Sequence, residues 1–93
     1  MIARIEIDQS NKVYAYRVLE DSAVLYDDGG FSSVLACLAA AVEGLPPQVR
    51  AVEVACGGIV SGTYPLDVLA INPAPVAEHA VNTTAAVYEA MKG

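Results

Sequence analysis

The stretch "ARIEIDQSNKVYAYRVL", residues 3–19, decides the fold. Ala3, Ile5 and Ile7 alternate with charged residues at positions 4, 6 and 8. Successive side chains of a strand point to opposite faces, so this alternation predicts a half-buried strand. The turn-forming residues at 9–11 separate it from a second apolar segment at 12–19. The stretch therefore predicts an antiparallel hairpin at the start of a sheet.

The cross-strand register of this hairpin predicts which face is exposed. Pairing the two flanks about Ser10 sets Ile7 opposite Val13 and Asp8 opposite Lys12, so that apolar meets apolar and acid meets base. Helices are then expected on the face that carries these apolar residues. The opposite face is predicted to be an interaction surface, completed by a tyrosine of the third strand, and its expected members are Arg4, Tyr14, Tyr16, Val18 and Tyr26.

The rest of the chain predicts more strands and two helices. A third strand is expected at 23–26, and Asp28 in "DDGG" is the expected N-cap of a helix from about Gly30 to Glu43. Strands are expected at 50–55 and from 59 to 70, followed by a helix at 75–91. The chain is thus predicted to be one domain, residues 1–93. Its fold class is α+β, a two-layer βββαββα sandwich with a mainly antiparallel five-stranded sheet and two helices on one face.

Apolar residues are abundant for so short a chain. They make up 55% of the 93 residues, and charged residues only 17%. In the second helix, five residues fall on one stripe: Ala77, Val81, Thr84, Tyr88 and Met91. A small domain cannot bury this much apolar surface alone, so a homodimer is expected. The dimer surface is predicted on the open sheet face, with the alanine-rich back of the first helix as the competing surface.

The charge distribution excludes some partners. Eleven acidic residues face five basic ones, and no Lys or Arg occurs at 18–49 or 51–91. Nucleic-acid binding needs a clustered basic face, so none is expected, and a protein partner should be basic. The longest weakly polar stretch, residues 34–42, is too short to span a bilayer. No membrane association and a cytoplasmic location are therefore expected.

The segment "VACGGIVSG", residues 54–62, resembles a reactive site but predicts a hairpin turn. Its β-rich flanks surround two glycines, and no lysine or helix follows as a phosphate-binding loop requires. Gly62 suggests a bulge or a close backbone approach. A nucleophilic Cys56 would need a base, and His79 is the single histidine. Cys56–His79 is the weak candidate for a reactive pair, and we predict that Cys56 is unreactive.

The predicted element order resembles the beginning of ribonuclease H-like domains. That resemblance implies a catalytic carboxylate on the first strand, where Asp8 stands in this chain. The further acids would come from the first helix and the end of the fourth strand, but Ser33, Ala55 and Cys56 occupy those places. Two-metal chemistry needs several converging carboxylates. No metal site, catalytic residue or cofactor is therefore predicted.

Two hypotheses for function remain open. The first is a small acidic, non-catalytic protein–protein interaction module that acts as a homodimer and inhibits or regulates a protein partner. The second is a small-molecule-binding protein or small enzyme, whose pocket would be lined by Tyr14, Tyr16, Tyr26 or Cys56.

Overall fold

Five strands form one mixed sheet in the computed structural model, which describes residues 2–92, and helices pack on one face of it. The strand order is β3-β2-β1-β4-β5, and β1 and β4 run parallel while the other neighbouring pairs are antiparallel. The predicted α+β class and the mainly antiparallel sheet are confirmed. The elements are β1 (Ile2–Ser10), β2 (Val13–Glu20), β3 (Ala23–Phe31), α1 (Val34–Glu43), β4 (Ala51–Cys56), β5 (Ile59–Pro65), α2 (Leu66–Ile71) and α3 (Ala74–Lys92).

Three two-residue turns join the antiparallel neighbours. Both central residues have positive φ in each turn, at 11–12, 21–22 and 57–58. This geometry matches the right-handed twist of the flanking strands. The predicted turn at the two glycines is confirmed, since Cys56 pairs with Ile59 across it. The predicted irregularity near Gly62 is also present, because the register shifts there and leaves Ser61 as the extra residue.

The predicted register of the first hairpin is wrong by three residues. The turn consists of Asn11 and Lys12, so Ile7 pairs with Tyr16 and Ile5 with Val18. An odd shift moves the side chains of one strand to the other face of the sheet. Tyr16 and Val18 are consequently buried beneath the helices, with 7% and 0% of their surfaces exposed.

The helix-covered face of the sheet holds the apolar core. Helix α1 lies over β1, β2 and β3, while α3 lies over β4 and β5. The largest fully buried side chains are Ile5, Ile7, Leu38, Leu69, Val18, Val52, Val54 and Cys37. The opposite sheet face is open and carries an ion-pair network, in which Arg4 contacts Glu6 at 3.0 Å and Glu53 at 3.1 Å.

Two predicted helix boundaries differ from the structure. Strand β3 continues through "DDGG" to Phe31, so Asp28 is not the N-cap of α1. Ser33 caps the helix instead, since its hydroxyl oxygen accepts a hydrogen bond from the Ala36 N–H at 3.1 Å. The expected fifth strand ends at Pro65, and residues 66–71 form the short helix α2. Within residues 2–92, none of the helices combines the length and the hydropathy that crossing a membrane requires.

Candidate functional site: a groove along α3

A surface groove follows α3 on the helix side of the molecule. One wall is α3 from Ala74 to Tyr88, and the other combines the beginning of α1 with Gln9, Tyr14, Cys56 and Gly57. It comprises two adjoining clefts of about 480 and 390 Å³, which share the side chains of Tyr14, Val34 and Val81. At a rise of 1.5 Å per residue, the α3 wall is roughly 21 Å long. We call this feature the α3 groove.

The glycine turn between β4 and β5 holds the second half of α3 in place. The Thr84 hydroxyl donates to the Cys56 carbonyl at 3.0 Å, and the Tyr88 hydroxyl donates to the Gly57 carbonyl at 2.8 Å. Gly57 has φ of 61°, and a Cβ there would lie 3.2 Å from the Tyr88 oxygen. A glycine is therefore needed both for the turn and for the approach of α3. The sequence segment that resembled a reactive loop thus holds α3 in place through its backbone carbonyls.

Most of the α3 stripe that the sequence shows at residues 77–91 is exposed. Only Ala77 is buried, whereas Val81 is 44% exposed, Tyr88 46% and Met91 73%. The buried residues of α3 are confined to its first half and are Val76, Ala77 and Ala80. A 19-residue helix is longer than the strands beneath it, and the 10-residue α1 covers only part of its flank.

The residues predicted as an interaction surface do not form one surface. Tyr16 and Val18 are in the core, and Tyr26 is half-buried with its hydroxyl bonded to the Ala41 carbonyl at 2.8 Å. Arg4 lies on the opposite, open face of the sheet. Tyr14 alone of the five reaches the α3 groove, where it lies in both clefts. The expected surface fails because it depended on the hairpin register.

The structure does not bring Cys56 and His79 together in the groove. Cys56 is half-buried in the smaller cleft, whereas His79 is exposed and lies 3.4 Å from the Thr83 hydroxyl. Helical geometry places His79 about 160° around α3 from Val81. Burial raises the pKa of the Cys56 thiol, the Thr84 hydrogen bond opposes this rise, and Asp8 adds to it. These features favour a protonated Cys56 thiol at neutral pH.

The groove is apolar along most of its length and carries little charge. Glu78 is the one charged side chain that lines the two clefts. Asp8, the position that the ribonuclease H-like resemblance singled out, is exposed at the end of β1. In the part of the chain that the structure describes, no three His, Cys, Asp or Glu side chains cluster so as to hold a metal ion. The arrangement is suited to burying apolar side chains.

Comparison with known proteins returns no relative for this chain: no family model, no curated protein and no solved structure matches it. The α3 groove is therefore interpreted from its own geometry. The sequence missed it because the Val81–Tyr88 stripe has the spacing of an ordinary core face. The one available signal was the length of the second helix relative to the first.

Proposed function

We propose that this protein is a protein–protein interaction module that works as a homodimer and regulates a protein partner of basic character. The observation that carries the proposal is the α3 groove, where Val81 and Tyr88 remain more than two-fifths exposed. An apolar groove that continues along a helix is a common docking site for proteins. The hydroxyls of Thr84 and Tyr88 already bond to backbone carbonyls, so the wall offers mainly apolar contact to an occupant.

The basic partner is proposed to bind at the edge strand β3. This strand pairs only with β2, so its outer edge is unpaired within residues 2–92. Val24 and Leu25 are 48% and 42% exposed, and Asp27 and Asp28 follow them on the surface. An extended segment can add to such an edge through main-chain hydrogen bonds. Carboxylates beside the edge favour a segment that carries lysine or arginine.

Two measurements test this function. Light scattering over a concentration series should give a particle of twice the 9.7 kDa chain mass. Fluorescence anisotropy should show binding of a labelled peptide of alternating lysine and valine, weakened by salt. A glutamate–valine peptide is the matched control. The double variant Asp27→Asn/Asp28→Asn should bind the lysine peptide more weakly and should leave the particle mass unchanged. A lysine peptide that binds no better than the glutamate peptide would exclude the basic partner.

A second candidate function is small-molecule binding in the smaller cleft. The observation that favours it is that Tyr14 and Cys56 line one cleft together with Tyr88. Its volume of about 390 Å³ lies within the range of small-ligand sites. A thermal-shift screen against nucleotides and common metabolites separates the two functions. A ligand that raises the melting temperature of the wild-type chain but not of Tyr14→Ala would favour this candidate. A melting temperature that no compound changes would favour the interaction module.

A further inference from the structure

We propose that α3 is the surface through which two copies of this chain associate, with the second α3 lying antiparallel along the first. The inference rests on the proposed homodimer and names its interface. It replaces the open sheet face, whose centre is occupied by the ion pairs of Arg4 with Glu6 and Glu53.

Five exposed residues form a single line along α3. Their spacing is three, four, three and four, which is the spacing of residues that meet a second helix: Glu78, Val81, Ala85, Tyr88 and Lys92. Four of them, all except Lys92, also line the α3 groove together with Tyr14. A second helix laid on this line would therefore contact the groove wall as well as α3.

The line is complementary to itself when it is reversed about Ala85. The small Ala85 side chains then meet at the two-fold axis, where they allow two helix backbones to approach. Val81 lies opposite Tyr88 of the second copy, so a smaller apolar side chain meets a larger one. Glu78 lies opposite Lys92 of the second copy, and the symmetry forms this pair twice.

The charges at the two ends of the line favour an antiparallel second helix, and they favour a second copy of this chain over a basic peptide. A parallel arrangement would set Glu78 against Glu78 and Lys92 against Lys92, which is unfavourable. Lys92 is the only basic residue of α3, and it follows a chain segment without Lys or Arg from residue 51. A basic peptide in the same place would meet Lys92 as a like charge. The same line of the second copy, with Glu78 at one end and Lys92 at the other, fits both.

The neighbouring groove wall adds contact area. Stable pairs bury about 800 Å² on each subunit. Tyr14 and Val34 extend the apolar surface beyond α3. In the antiparallel arrangement, Tyr88 of the second copy lies against Val81, which lines both clefts with Tyr14. We therefore expect Tyr14 to be shielded from solvent in the dimer.

The first test is a matched pair of α3 variants. Ala85→Arg places a long charged side chain at the proposed axis and should raise the dimer dissociation constant at least about tenfold. Ala86→Arg adds the same charge to an exposed neighbour about 100° around the helix, on the side away from the groove, and should leave association unchanged. Both are compared with the wild-type chain by sedimentation velocity, and circular dichroism verifies that each variant is folded.

The outcomes distinguish the interface from the homodimer itself. A dimeric wild-type chain with a dimeric Ala85→Arg variant would overturn the α3 interface and leave the homodimer standing. A wild-type chain that stays monomeric at high micromolar concentration would remove the homodimer and this interface together. Binding of the lysine peptide at β3 is measured separately and is decided by neither result.

Charge reversal provides the second test. Glu78→Lys and Lys92→Glu should each weaken the dimer at low salt, because each creates like-charge pairs at both ends of the interface. The double variant restores opposite charges and should recover the wild-type dissociation constant. A double variant that is as weak as the two single variants would refute the antiparallel arrangement.

Discussion

Helices α1 and α3 lie side by side on one sheet but use their apolar residues differently. Helix α1 has 10 residues, and half of them are buried: Val34, Cys37, Leu38, Ala41 and Val42. Helix α3 is almost twice as long, yet only Val76, Ala77 and Ala80 are buried. Because both helices carry apolar stripes, the stripe alone does not tell whether a helix serves folding or association. The difference lies in how much sheet is available beneath each helix.

The largest expected effect comes from removing a core side chain of α1. Leu38 is fully buried, so Leu38→Ala should lower the free energy of unfolding by about 2–5 kcal/mol. Val81→Ala, in the exposed stripe of α3, should cost well under half as much. Urea unfolding at low protein concentration measures both. Equal losses would contradict the contrast between the two helices.

Alkaline pH should destabilise the α1 side of the core. Burial, aided by Cys56 and Asp28, raises the pKa of the Cys37 thiol from 9.0 to about 11. Between these values the unfolded state has lost the proton and the folded state still holds it, so stability falls as pH rises. Below pH 9 this group should leave stability independent of pH.

Tyr26 should extend the alkaline loss of folding stability to higher pH. Burial, followed by Tyr16, raises the pKa of Tyr26 from 10.0 to about 12. Unfolding free energies measured between pH 8 and 12 should therefore decrease from about pH 9 upward. Cys37→Ala should flatten the first part of this decrease and Tyr26→Phe the second. A pH-independent wild type over this range would contradict the assigned burial of both groups.

The N-cap of α1 should contribute a smaller amount. Ser33→Ala removes the hydroxyl that accepts from the Ala36 N–H and should cost about 1 kcal/mol. Ser32→Ala is the matched control, since Ser32 is exposed and lies one residue outside the cap. Thermal unfolding monitored by circular dichroism compares the two variants. A larger loss in Ser32→Ala would place the helix start elsewhere.

The smallest effect is expected where α3 meets the glycine turn. Tyr88→Phe removes the hydrogen bond to the Gly57 carbonyl and should cost roughly 0.5–1 kcal/mol, the lower part of the usual range because the site is partly exposed. Tyr14→Phe is the control and should be nearly neutral. Hydrogen exchange at residues 81–92 should rise in Tyr88→Phe only. Unchanged exchange there would show that the turn does not anchor α3.

Local patterns in the sequence were sufficient for the class of fold and for most element boundaries. Alternation at residues 1–8 predicted β1, and the β-rich flanks of Gly57 and Gly58 predicted the β4–β5 hairpin. Gly44 and the prolines after it placed the end of α1 correctly. These features depend on the backbone preferences of adjacent residues, so they can be read without knowing what packs against them.

The candidate site could not be predicted in the same way. The predicted register placed Tyr14 on the open face of the sheet. The observed register differs by three residues, so the Tyr14 side chain lies on the helix-covered face. The charge pairing that favoured the wrong register is weak beside the burial of Tyr16 and Val18 under α1. Residues 66–71 also alternate like a strand but form α2, where Leu69 is buried.

The sequence by itself determined the class of fold, the β4–β5 turn and the excess of apolar residues, because these follow from composition and from neighbours along the chain. The tertiary structure alone decided which apolar residues stay exposed. Val81 and Tyr88 have core-like spacing and remain outside because α3 extends past the cover that α1 provides. Burial depends on which distant element reaches a side chain, and that information is absent from any local pattern.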